Sequence, residues 1–330
     1  MRILLPFAAV IVLMTTAWIC GGLASLQPLL GIYLPYAAFA VFVVGFILRV
    51  VQWARSPVPF RIPTTCGQQK SLPWIKRSGL ESPYTTLEVI GRMALEVLLF
   101  RSLFRNTKTA LREGGKLAYG SDKWLWVGGM AFHYTFLVIA IRHLRFFIEP
   151  IPGAVKLLES LDGLFQVGVP VLYLTDVIFL SAVTYLFVRR VLIPQVKYIS
   201  LPADYFPLFL IFGIGSTGVL MRYFVKVDVV KVKELAVGLA SFHPVVPEGI
   251  GAIFFAHLFL LCVLFVYFPF SKLMHMGGVF LSPTRNLAND NRARRHINPW
   301  NHPVKVHTYE EYEDEFRDKI KEVGLPVDKE

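Results

Sequence analysis

Residues 257–275 read HLFLLCVLFVYFPFSKLMH. A histidine stands at each end of an apolar run, and a separation of 18 residues is five turns of α-helix, which puts His257 and His275 on one face about 27 Å apart. That nearly crosses a bilayer's hydrocarbon core, about 30 Å thick. Such a medium cannot solvate an imidazole, so histidines near both of its faces need partners. The chain supplies them: in HYTFLVIAIRH, His133 and His143 lie 10 residues apart on a second apolar stretch, a rise of about 15 Å with an angular offset of about 80°. Two helices with two histidines each offer axial ligands for two metal centres, one near each membrane face. Bis-histidine b-type haem is the centre that suits them.

The composition agrees with a membrane setting. The chain has 330 residues, of which 55% are hydrophobic and 17% charged, with a mean hydropathy of +0.53. Its apolar blocks are longer than soluble core helices require. The first block, residues 4–26, is too long for the core of a signal peptide and no A-x-A pattern follows it, so it is expected to be a retained anchor. The three cysteines, Cys20, Cys66 and Cys262, form no CxxC or CxxCH pattern. This argues against an iron–sulfur cluster, a zinc site or covalent haem c within this chain, and any such centre must belong to a partner. The net charge of +11 fits basic loops on the cytoplasmic side of a membrane, and nucleic acid is not an expected partner.

About six transmembrane helices are predicted, over residues 4–26, 31–53, 124–147, 165–188, 205–224 and 250–271, each close to the length a bilayer demands. Basic residues crowd the segment between Arg55 and Lys123, the Arg189–Arg190 pair, and the tail with Arg285, Arg292, Arg294 and Arg295. These are placed in the cytoplasm, together with both termini. The loop around 148–164 carries Glu149, Glu159 and Asp162 against Lys156 and is placed outside. Residues 225–249 dissent mildly, being outside by count yet holding Lys226, Lys231 and Lys233.

Helix direction then pairs the histidines. The third span runs outward and the sixth inward, so His143 pairs with His257 at the outer side and His133 with His275 at the inner side. Spacings of about 15 and about 27 Å do not match along ideal helices. Tilt or a kink at Pro269 is expected to absorb the difference.

Other residues support two readings each. Gly128 and Gly129 before His133, and GIGSTG over 213–218, would let a flat porphyrin approach the backbone, and equally would let helices pack closely. Asp176 falls near the middle of the fourth span, where an ionisable group is either functional or tied to a neighbouring helix. Arg142, Arg145 and Arg222 near the outer ends could hold haem propionates or a quinone carbonyl, or could simply snorkel. His243, His296, His302 and His307 read as solvated residues.

Four regions follow: two transmembrane helices over 1–54, a basic loop over 55–123, a dihaem unit over 124–276 and a cytoplasmic tail over 277–330. Within the loop, TLEVIGRMALEVLLFRSLFRN is an amphipathic helix suited to the headgroup zone or to a docking partner. The polar, Pro-rich tail, turning acidic through EEYEDEF, reads as a partner-wrapping arm.

Histidines 10 apart on one helix and 18 apart on a later one resemble the dihaem cytochrome b subunit of respiratory nitrate reductase, the NarI-like family. Over nearly the whole chain, the two extra N-terminal spans, RMALEVLLFRSLFRNT and KLMHMGGVFLSPTRNLANDNR are similar to DsrM-type subunits of DsrMKJOP complexes, or to their relatives in Hme complexes. The resemblance implies an all-α membrane protein with a dihaem four-helix core, two haems b and exchange of electrons with menaquinone. It also implies a cytoplasmic iron–sulfur partner resembling the HdrD subunit of heterodisulfide reductase (DsrK-like) and other subunits of a DsrMKJOP-type complex, in sulfite-reduction-linked respiration. In the nitrate reductase family the outer haem is held by the positions matching His143 and His257, which leaves His133 and His275 for the inner one. Arg142 stands where that family has glycine, so the quinone pocket does not transfer directly. A quinone site of Arg142, His143 and Asp176 is expected near the outer haem, with Arg222 as a cofactor-binding residue. The competing functions are a proton-coupled secondary transporter, with Asp176 and the histidines as a relay, and a haem-free membrane anchor.

Overall fold

The computed structural model describes residues 2–56, 70, 74, 77–111, 113–163, 170–290, 294, 297 and 307–329. The chain begins with α1 (Leu4–Gly21) and α2 (Leu34–Ala54), followed by α3 (Thr86–Leu99), α4 (Arg101–Phe104) and a hairpin of β1 (Thr107–Leu111) and β2 (Leu117–Ser121). Then come α5 (Lys123–His143), α6 (Gly153–Asp162), α7 (Leu174–Leu192), α8 (Pro194–Ile199) and α9 (Pro202–Val219). The last elements are α10 (Val229–Ala240), α11 (Ala252–Tyr267), α12 (His275–Leu281), α13 (Pro283–Asn286) and α14 (Tyr309–Glu322). The expected all-α class holds for the bundle, and among the described residues the hairpin is the one sheet.

Five segments are long and apolar enough to cross a membrane: Leu4–Gly21, Ala24–Ala54, Lys123–Phe146, Pro202–Val225 and Ala252–Phe270. The sixth expected span corresponds to α7, a 19-residue helix with Asp176 in its first turn and Arg189 and Arg190 in its last. These charges cut its apolar length, yet α7 packs between α5 and α9 as a full member of the bundle. Residues 165–169, at the start of that predicted span, lie outside the described ones.

Contacts at the helix ends show that the six helices alternate in direction. At one end Arg2 donates to the Tyr198 carbonyl, Arg189 pairs with Asp122 at 2.8 Å, and Lys272 pairs with Asp204 at 2.7 Å. This basic end gathers the starts of α1, α5 and α9 and the ends of α7, α11 and α2, whose Gly45 lies against Pro269 and whose Trp53 lies against Gly278. At the far end Arg142, closing α5, meets Asp176, opening α7, at 2.7 Å. Packing between the helices is tight where side chains are missing: a Cβ on Gly128 would lie 2.5 Å from Tyr185, and one on Gly215 2.7 Å from Phe179. In a bilayer such van der Waals fit, more than exclusion of water, holds helices together. The core about Val183, Leu210 and Leu260 is its centre.

Two of the three dissenting lysines of 225–249 have a local explanation. Lys233 pairs with Glu149 of the acidic loop and Lys231 donates to the Glu248 carbonyl at 2.8 Å, so their charge is met beside α10. The start of the tail differs from a free arm. Asn289 donates its backbone N–H to the Pro83 carbonyl at 2.5 Å and its side-chain amide to Ser82 at 2.7 Å, and Arg285 approaches Glu96 at 3.8 Å. These bonds stitch the tail onto α3 and the residues before it. Further on, α14 stands as a helix with a capping box between Thr308 and Glu311.

Candidate functional site

α5 and α11 are separated by α7 and α9, and the histidines face one another across the space between them. His133 and His275 come together at the basic end, with ring centroids 5.9 Å apart and planes at 88°. A separation of this size leaves room for a metal ion that both imidazoles would bind at about 2.0–2.1 Å. At the far end His143 closes α5 and His257 stands near the start of α11, so the two share that depth. Their pairing by depth matches the one that helix direction demands.

The geometry differs from the sequence expectation in one respect: His275 does not continue the helix of His257. α11 ends at Tyr267, short 3₁₀ turns occupy Phe268–Phe270 and Lys272–Met274, and Ser271 between them is extended (φ −121°, ψ 176°). Pro269 has no N–H to continue the ladder, and His275 opens α12 instead. This break absorbs the mismatch between the two spacings.

In all four histidines Nδ1 is engaged. His133 meets the Gly129 carbonyl at 2.7 Å, His143 the Ile139 carbonyl at 2.7 Å, and His275 the Lys272 carbonyl at 3.0 Å. His257, buried, meets Thr217 Oγ1 at 2.9 Å. A carbonyl only accepts, so Nδ1 carries the proton in the first three and the Nε2 lone pair is left for a metal. Thr217 lies 2.8 Å from the Gly213 carbonyl, to which its hydroxyl donates, and its oxygen accepts from His257. Such outer bonds orient metal-binding imidazoles and fix their tautomer. Among the described residues no group of three or more His, Cys, Asp or Glu gathers as for a bare cation. Paired imidazoles instead fit a haem, which brings its own equatorial nitrogens.

Beside His143 lies a buried polar cluster. Arg142, 6% exposed, pairs with Asp176 at 2.7 Å and Asp162 at 3.1 Å. Tyr223 donates its hydroxyl to Asp176 at 2.8 Å and accepts the Tyr173 N–H at 3.0 Å. Asp162 accepts the N–H and hydroxyl of Thr175. The Tyr173 ring is clasped between two guanidiniums, Arg142 at 3.8 Å and Arg222 at 4.0 Å. Asp176 is thus not mid-span. α7 begins only after the extended Tyr173 (φ −86°, ψ 128°), so the carboxylate sits in the first turn, where the helix dipole favours it.

Arg145 pairs with Glu159 at 2.9 Å. Gly128 and Gly215 serve helix packing, whereas a Cβ on Gly218 would lie 3.5 Å from His257 Cε1. His243 bonds locally to the Ser241 carbonyl, and His307 approaches Glu311 at 3.8 Å. Cys20 and Cys262 are free thiols, while Cys66, His296 and His302 lie outside the described residues. Sequence reasoning missed Asp162, Tyr173, Thr217 and Tyr223. They have no spacing signature, and only position beside a singled-out residue could have pointed to Thr217 and Tyr223.

Paired intramembrane histidines in an up-and-down bundle define a multi-pass helical membrane protein built around two imidazole pairs. The chain belongs to the nitrate reductase gamma subunit family, whose model matches residues 93–292. That stretch contains all four histidines and the clustered residues of the far end. The chain is 47% identical over 277 residues, 82% of each chain, to the "Hdr-like menaquinol oxidoreductase cytochrome b-like subunit" of Archaeoglobus fulgidus. It is 46% identical over 274 residues, 81% of each chain, to the protein of the same description from Archaeoglobus profundus.

Proposed function

We propose that this chain is the membrane cytochrome b subunit of a menaquinol-oxidising complex, with one haem b held by His143 and His257 and a second by His133 and His275. The observation that carries this reading is the 5.9 Å approach of His133 and His275, each with Nδ1 bonded to a backbone carbonyl of its own segment. Bound between these imidazoles, haem supplies one-electron transfer along the membrane normal. The archaeal relatives' description supports menaquinol as the donor, and its "Hdr-like" part supports a soluble iron–sulfur subunit of the HdrD or DsrK kind. Placing the chain in a DsrMKJOP-type or Hme-type assembly of sulfite-linked respiration rests on the sequence resemblance.

In this reading the basic end faces the cytoplasm and quinol binds at the far end, beside His143. Oxidation of a quinol releases two electrons and two protons, and a site near the outer surface discharges the protons outward while the electrons travel inward. Asp176 is the proton acceptor. Arg142, already bound to Asp176 and Asp162, holds that carboxylate in place and orients the turn that presents His143. Arg222 has a buried Nε without a hydrogen-bond partner and provides positive charge for a haem propionate. Spectra of the purified chain, oxidised and then dithionite-reduced, together with a pyridine haemochrome assay, test the proposal. Two b haems per chain are expected, and a chain that binds none would leave the anchor or transporter reading in place.

A further inference from the structure

The elbow between α3 and α4 reaches the inner histidine pair. Phe100 takes a left-handed backbone conformation there (φ 47°, ψ 48°), which a residue with a side chain keeps only where its neighbours hold it. Several do. Tyr134 donates its hydroxyl to the Leu98 carbonyl at 2.6 Å and Trp126 its ring N–H to the Leu99 carbonyl at 2.8 Å. Ser102 donates its N–H and hydroxyl to Glu96 at 3.0 and 2.7 Å. Both aromatic clamps come from α5, and Tyr134 is the neighbour of His133. The elbow is therefore fastened to the turn of α5 that carries the inner histidine. The Phe100 ring meets the His133 imidazole edge to face, with centroids 5.0 Å apart and planes at 81°, and Leu103 closes over Gly129.

We propose that Phe100 is a positioning residue for the inner haem, setting the rotation of the His133 ring and sealing that side of the site from water. The proposal rests on the assignment of His133 and His275 as ligands. The bond from Nδ1 to Gly129 anchors the imidazole at one point and leaves its plane to be set by ring contacts, one from its chain neighbour Phe132 (4.9 Å, 80°) and one from outside α5, the edge-to-face ring of Phe100. Apolar cover also disfavours the more highly charged oxidised iron, which raises the reduction potential of the centre it shields.

Two substitutions separate these effects. Phe100→Gly removes the ring at a position whose backbone conformation suits glycine, so folding is kept, while Phe100→Leu keeps apolar bulk without the aromatic edge. Redox titration and low-temperature electron paramagnetic resonance of the haem-loaded chain are the readouts. In Phe100→Gly, one haem should show a lower midpoint and altered low-spin g-values while the other haem, serving as a folding control, stays unchanged. In Phe100→Leu the midpoint should recover and the g-values remain altered. Wild-type midpoints and g-values in both variants, with both haems bound, would overturn the proposal. If His133→Ala removes neither haem, the ligand assignment beneath it has failed instead.

Discussion

Thr217 accepts the Nδ1 proton of His257 at 2.9 Å while donating its own hydroxyl to the backbone of α9. One hydroxyl thus settles both the tautomer and the heading of the buried imidazole. Thr217→Val keeps the shape and removes the acceptor, leaving a buried donor unpaired at a cost of about 1–3 kcal/mol. Loss of such an outer bond lowers metal-site affinity about 10–100-fold. Haem titration of the variant should show weakened binding of the outer haem alone, and equal weakening of both would contradict the assignment.

The pairing by depth predicts which spectral component each histidine governs. His143→Ala and His257→Ala should erase the same haem signal, and His133→Ala and His275→Ala the other. Loss grouped by helix instead of by depth would break the pairing.

Arg142 is shared by two aspartates in a buried setting, its side chain 7% exposed beside Asp162 at 4% and Asp176 at 13%. Removing one partner of a buried ion pair costs about 3–5 kcal/mol, so Arg142→Gln should lower thermal stability. Asp176→Asn, nearly isosteric, should slow quinol-driven haem reduction by about 100-fold or more if the carboxylate takes the proton. Stopped-flow reduction with both haems confirmed present is the measurement, and an unchanged rate would remove Asp176 from the quinol site.

Acid should loosen the start of α3. Hydrogen bonding from Arg77 at 2.6 Å, joined by the N–H groups of Tyr84 and Thr85, holds the Glu88 carboxyl down at about 2, against an ordinary value of 4.5. A depressed carboxylate contributes stability that is fully present above 4.5 and is lost as pH falls toward 2. Hydrogen exchange over residues 84–90, taken relative to the intrinsic rate at each pH, should therefore quicken as pH falls from 4.5 toward 2. In Glu88→Gln it should already be fast at neutral pH and show no such dependence.

The bonds from Asn289 to Ser82 and Pro83 join the loop before α3 and the beginning of the tail into one surface at the basic end. A soluble iron–sulfur partner should cross-link to this surface. Cross-links confined to the far end, beside α6 and α10, would reverse the direction assigned to the electron route.

Much of this molecule is legible in the order of its residues. A medium that cannot hydrogen-bond forces long apolar helices, so the apolar runs mark the spans. The rarity of histidine in such runs singles out the four imidazoles, and the alternating direction of the helices brings them together in pairs by depth. Long-range side-chain geometry is decided only by folding. That His275 starts its own helix follows from Pro269 and Ser271 breaking the ladder, a kink whose angle no periodicity encodes. Asp176 leaves mid-span because α7 starts late. Asp162, Tyr173, Thr217 and Tyr223 become partners of Arg142, Asp176 and His257 from separate helices, since hydrogen-bond partners are chosen by proximity in space. Local sequence determined where the imidazoles stand along their helices, and tertiary packing alone decided what orients each of them.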